Sequence, residues 1–114
     1  MKQPNVQERL EHILQAIENI GEFTRGGFDA LDVKTTSAVY YQLLIIGEAA
    51  RHIPKELQVH FNDIPWIKMM GLRNIIAHEY FALKHERIVA ALCHLPLLIE
   101  RLQTLINELP DAYR

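Results

Sequence analysis

Four residues in one short stretch, RNIIAHEY, carry side chains suited to more than packing: Arg73, Asn74, His78 and Tyr80. A neutral imidazole can take a proton from a ribose 2′-hydroxyl and return it, because its pKa lies near neutrality. A guanidinium is a planar, permanently charged fork that can hold a phosphate and offset charge developing on its oxygens. An amide such as Asn74 can orient either partner. These types together suffice for metal-independent RNA cleavage, in which the 2′-hydroxyl attacks the adjacent phosphate and leaves a 2′,3′-cyclic phosphate.

Spacing decides whether they can meet. On a continuing helix Asn74 and His78 lie on one face, about 40° apart. Arg73 and His78, five apart, stand about 140° around the axis. Their meeting therefore relies on the length of arginine, on a helix that loosens near its end, or on contact across a subunit boundary. Tyr80, seven residues from Arg73, returns to its face if the helix lasts that far. Spacing alone does not single out catalysis. Arginine and histidine five apart occur in many helical proteins, a histidine beside Ile75, Ile76 and Ala77 fits a satisfied structural residue, and Tyr80-Phe81 fits an aromatic pair packing a helix end.

The elements that must position these groups read as helices throughout. Val6, Leu10, Ile13, Ile17 and Ile20 have the 4-3-4-3 spacing of one helical face, with Asn5 and Glu8 as a capping box and Gly26-Gly27 as the stop. After the loop RGGFDALDVK, a second long helix begins between Asp32 and Ser37 and runs to about Ile53, where Pro54 interrupts. Val39, Leu43, Ile46, Ala50 and Ile53 form its main stripe. Tyr41, Leu44, Ile45 and Glu48 occupy the roughly opposite face, so it is apolar nearly all round and must either be central or bury its second face on another subunit. Because about four helices leave no natural centre, a dimer interface is expected; the alternative is that Tyr41 and Ile45 face the chain's own short helices.

Short helices are predicted from Pro54 and from Pro65, the second carrying PWIKMMGLRNIIAHEY, with Trp66 as an anchor. The last long element places Ile88, Leu92, Leu95, Ile99, Leu102 and Ile106 on one stripe and contains Pro96, which predicts a kink near Leu92 to Pro96. The expected fold is all-α: a single domain over residues 1–114, an up-and-down bundle of four to five helices with a kinked last helix.

Composition sets the outer bounds. At 114 residues, 49% hydrophobic and 23% charged, the chain can bury one core. A formal charge of −2 argues against indiscriminate coating of nucleic acid. Residues 51–87 nevertheless hold six Lys or Arg against four Asp or Glu, a balance of +2, while the remainder holds six against ten, a balance of −4. The single cysteine, Cys93, cannot form an intramolecular disulfide and reads as core. The first twenty residues lack the apolar stretch of a secretory signal, and no apolar run approaches the roughly 20 residues needed to span a bilayer. A cytoplasmic protein without membrane association is the expectation. HEYFA is not HExxH, and the six histidines show no ligand spacing, so neither metal nor other cofactor is expected.

The stretch PWIKMMGLRNIIAHEYF resembles the hallmark of HEPN domains: arginine, commonly a polar residue, and histidine four to six residues on, here Arg73, Asn74 and His78. IIGEAARHIPKEL upstream, Pro65-Trp66, and the H-x-Y of His78 to Tyr80 resemble the HepT-like proteins of the DUF86 group, a similarity covering about residues 6 to 106. The resemblance implies a homodimer with both motifs facing a shared cleft, and a toxin endoribonuclease acting on transfer RNA or messenger RNA with Arg73 and His78 as catalytic residues. It also implies a minimal nucleotidyltransferase antitoxin that transfers adenylate from ATP to Tyr80. An adenylate there adds bulk and negative charge beside the motif and competes for the guanidinium.

Glu48, among Leu44, Ile45 and Ala49, is either a partly buried acid that orients the motif arginine or a surface glutamate. Two further readings of the whole stand beside the nuclease. One is a non-catalytic nucleotide- or RNA-binding partner of the nucleotidyltransferase; the other is a helical interaction protein in which Arg73 and His78 only stabilise the dimer.

Overall fold

In a computed structural model of the chain, which describes residues 2–29, 32–79 and 85–114, every regular element is helical. The order is α1 (Val6–Phe23), α2 (Val33–Arg51), α3 (Lys55–His60), α4 (Trp66–Glu79), α5 (His85–His94) and α6 (Ile99–Asn107), with 3₁₀ turns at Leu95–Leu98 and Asp111–Tyr113. Counting α5 and α6 as halves of one bent rod, the bundle has the expected five helices.

Local chemistry explains the boundaries. Asn5 and Glu8 form the reciprocal box at the start of α1: the Glu8 amide donates to Asn5 Oδ1 at 2.8 Å and the Asn5 amide to Glu8 Oε1 at 3.2 Å. Helix α1 stops at Phe23, a little before the glycines, and Gly26 and Gly27 take φ of 88° and 123° to turn the chain away. Asp32 caps α2, accepting from the Thr35 amide at 3.1 Å and the Thr35 hydroxyl at 2.6 Å, and these bonds hold its carboxyl below the ordinary range.

Pro96 acts as anticipated, though slightly further along the chain. With no N–H to give, it sits inside the 3₁₀ turn at Leu95–Leu98, and α6 resumes at Ile99. The run Glu86–Asn107 has, contrary to the sequence expectation, the length and composition to cross a bilayer. Its stripe is nonetheless used inside the bundle, where Ile88, Leu95, Leu102 and Leu105 are buried.

Helix α2 lies between α1 and α4, while α6 closes against α1. Thus α2 does have a central place, which revises the expectation that so few helices leave none. Val39, Leu43, Ile46, Ala50 and Ile53 are all buried, and each fully buried Leu or Ile contributes on the order of 1.5–3 kcal/mol. Gln42, also buried, accepts from Asn19 Nδ2 at 3.2 Å and so ties α1 to α2. On the second face Tyr41 is 62% exposed, while Leu44 and Ile45 are half-buried and packed against the core. Trp66 is buried, and its indole donates to the Phe61 carbonyl at 3.1 Å, pinning the start of α4 to the end of α3. Cys93 corrects the reading of it as core. It is exposed, because it stands five residues from Ile88 and so about 140° away from the buried stripe.

Candidate active site

The site is built where α2 crosses α4. Met69 and Ile76 are buried against the core, and Arg73 lies between them on the side of α4 that meets α2. The helices approach closely at one point. A Cβ placed on Gly47 would stand 2.2 Å from Arg73 Cβ, 2.9 Å from the Met69 carbonyl oxygen and 3.1 Å from Arg73 Cα. Only glycine fits this contact with the helices where they are.

The next residue, Glu48, thereby reaches the guanidinium. Its Oε2 lies 3.5 Å from Arg73 Nε. The same carboxylate meets Arg51 Nη1 at 3.5 Å and His52 Nε2 at 3.2 Å. Partial burial pushes the Glu48 carboxyl up, but the His52 hydrogen bond and the charges of Arg51, Arg73 and His52 outweigh it, leaving the carboxyl below the ordinary glutamate value. Glu48 is thus the acid that pairs with the motif arginine, with its side chain 46% exposed.

Arg73 is also fixed from its other side, its Nη1 donating to Asn74 Oδ1 at 3.2 Å. Its side chain is 34% exposed. A guanidinium carries five donors, more than these two contacts use among the described residues.

Helix α4 continues to Glu79, so Arg73 and His78 share one unbroken helix and the loosening considered for its end is not seen before His78. The side chain of His78, and Tyr80 altogether, lie outside the described residues, as does the Tyr80-Phe81 pair. Of the predicted cluster, the structure brings together Arg73, Asn74 and Glu48. Among the described residues, no three His, Cys, Asp or Glu side chains converge to hold a metal ion.

Sequence reasoning passed over three residues. Gly47 lies in the stretch IIGEAARHIPKEL, but nothing there marks it as the point where α4 presses on α2. Arg51 and His52 were detectable, being three and four residues beyond Glu48 and so neighbours on the helix surface. A cavity of about 750 Å³ lies along the other side of α4 against α5, lined by Leu72, Ile75, Ile88 and Leu98 among others, and Arg73 is not among its lining residues.

Comparison with known proteins identifies the family. The family profile described as ribonuclease HepT-like matches residues 13–105, which include Glu48, Arg73, Asn74, His78 and Tyr80. The chain belongs to the HepT-like family. It is 38% identical over 82 residues to a protein of Caldanaerobacter subterraneus subsp. tengcongensis named "Putative RNase", a match covering 69% of this chain and 73% of that one. A "Probable ribonuclease HepT" of Thermococcus cleftensis is 44% identical over 75 residues, 63% of this chain and 68% of the relative. A "Putative RNase" of Methanocaldococcus jannaschii is 33% identical over 89 residues, 75% and 81% of the two chains. No solved structure matches the chain.

Proposed function

We propose that this protein is a metal-independent endoribonuclease whose phosphate-binding residue is Arg73 and whose general base and acid is His78. The observation that carries this reading is the guanidinium of Arg73, held on one side by Glu48 and on the other by Asn74 and reachable from solvent, in a chain of the HepT-like family. His78 takes the proton of a ribose 2′-hydroxyl, the 2′-oxygen forms a bond to the adjacent phosphorus, and the bond to the 5′-oxygen of the next nucleotide breaks. That oxygen receives a proton as it leaves, and the products are a 2′,3′-cyclic phosphate and a 5′-hydroxyl. Arg73 binds the phosphate oxygens most strongly where their charge grows, which lowers the barrier.

The protein acts as a homodimer through the second face of α2. Tyr41, exposed, and Leu44 and Ile45, half-buried, offer it apolar area beside Glu48. The substrate is transfer RNA or messenger RNA in the cytoplasm, where the protein is the toxin of a pair. Its antitoxin is a minimal nucleotidyltransferase that joins the adenylyl group of ATP to the Tyr80 hydroxyl and releases pyrophosphate. The added phosphate, two residues from His78, competes for Arg73.

The test is incubation of the purified protein with a transfer-RNA pool in excess EDTA. Cleavage is expected for the wild type and lost in Arg73→Ala and His78→Ala, with far-UV helicity unchanged. Loss of helicity in those variants points instead to a structural role. Binding of RNA or ATP without cleavage, still dependent on Arg73, points to the non-catalytic partner.

A further inference from the structure

His52 faces two ways. Its Nε2 lies 3.2 Å from Glu48 Oε1, and so one carboxylate away from Arg73, and its ring also forms a wall of a groove of about 420 Å³ at the far end of α2. The other walls are Gln3, Asn5 and Arg9 from the beginning of the chain and α1, and Tyr113 from the terminal 3₁₀ turn. The volume falls within the roughly 300–1,000 Å³ of sites that hold small organic ligands.

The lining combines an aromatic ring, a cation and amide groups with the apolar Pro4, Val6 and Ala112. Tyr113 is half-buried and packed against the core, so its ring is a stable wall rather than a loose flap. Arg9 is half-buried and its Nη2 donates to Gln3 Oε1 at 3.1 Å, which holds the guanidinium at the groove. An aromatic plane, a fixed cation and amide groups are the parts with which proteins bind a single-stranded nucleotide without strict sequence choice. No carboxylate lines the groove among the described residues.

We propose that this groove binds a nucleotide of the RNA strand flanking the phosphate held by Arg73, with the base against Tyr113, the backbone phosphate near Arg9, and His52 at the passage between the two sites. The proposal rests on the nuclease reading only for the identity of the strand; the groove's affinity for single-stranded RNA is a separate property. Glu48 then serves both sites, fixing Arg73 with one oxygen and His52 with the other.

The experiment measures equilibrium binding of a fluorescent, single-stranded 2′-O-methyl oligoribonucleotide, which cannot be cleaved by 2′-hydroxyl attack, alongside cleavage of the unmodified RNA. Arg9→Ala and Tyr113→Ala are each expected to weaken binding about tenfold, while Tyr113→Phe retains wild-type affinity. Lys68→Ala, on the other side of α4, controls for net charge and leaves affinity unchanged. Circular dichroism and NMR of each variant verify the fold, and the Tyr113 ring resonances shift on titration of wild type with the oligonucleotide. Wild-type affinity in both alanine variants, equal weakening by Lys68→Ala, or unmoved Tyr113 resonances overturns the groove. Absent cleavage with binding that still depends on Arg9 and Tyr113 overturns the nuclease reading and leaves the groove standing.

Discussion

Gly47 and Arg73 touch across two helices with no room for another atom: a Cβ on Gly47 would come within 2.2 Å of Arg73 Cβ. That contact sets how near α2 lies to α4, and through it the 3.5 Å between Glu48 and the Arg73 guanidinium. A missing side chain in one helix thus positions a charged one in the next.

Gly47→Ala therefore destabilises the protein, although alanine is the better helix former by about 1 kcal/mol. The added carbon meets backbone as well as side chain, at the Met69 carbonyl and Arg73 Cα, so the helices must separate. Overpacking of this kind costs about 1–3 kcal/mol. Thermal unfolding followed by circular dichroism should show a midpoint several degrees lower; an unchanged or raised midpoint contradicts the close contact.

Glu48→Gln keeps the shape of the side chain and removes its charge. The folded carboxyl lies below its ordinary value, so its contribution to stability is present above the unfolded value, near pH 4.3, and is lost as the pH falls through the lower folded value. Because the group is half exposed, that contribution is less than about 1 kcal/mol. The difference in unfolding free energy between wild type and Glu48→Gln should be present above the glutamate range and vanish below it. A difference that persists in strong acid assigns the effect to something other than charge.

Glu48→Gln also loosens Arg73, and cleavage should fall about tenfold for each 1.4 kcal/mol lost from the transition state. If Glu48 holds the arginine, Glu48→Gln weakens binding of an uncleavable 2′-O-methyl RNA in the wild-type background and adds no further loss in the Arg73→Ala background. Additive losses from the two substitutions contradict the positioning role.

Trp66→Phe tests the hinge at the start of α4. It removes the indole donor, while the Phe61 carbonyl keeps the bond from the Ile64 amide, so the loss is that of one hydrogen bond, about 0.5–1.5 kcal/mol. Urea unfolding should register the loss; equal midpoints for wild type and variant place the anchor elsewhere.

Much of this was legible in the residues because helices announce themselves through period. The stripes Leu10, Ile13, Ile17, Ile20 and Val39, Leu43, Ile46, Ala50 name the buried faces of α1 and α2 directly, and Asn5, Asp32 and Pro96 mark starts and breaks by local bonding that needs no tertiary partner. What depends on two helices at once was harder. Nothing in the neighbourhood of Gly47 shows which helix presses on it, and Glu48 could be read as surface or site until α4 was seen beside it. Cys93 was misplaced because an apolar neighbourhood was taken for an apolar face. The groove of Arg9, His52 and Tyr113 joins residues over a hundred positions apart in sequence and left no local signal.

The measurement closest to the central claim is analysis of RNA ends after incubation with wild-type protein, Arg73→Ala and His78→Ala in excess EDTA. The account predicts 2′,3′-cyclic phosphate and 5′-hydroxyl ends with the wild type and intact RNA with both folded variants. Ends bearing a 5′-phosphate, or cleavage that survives either substitution, contradict it.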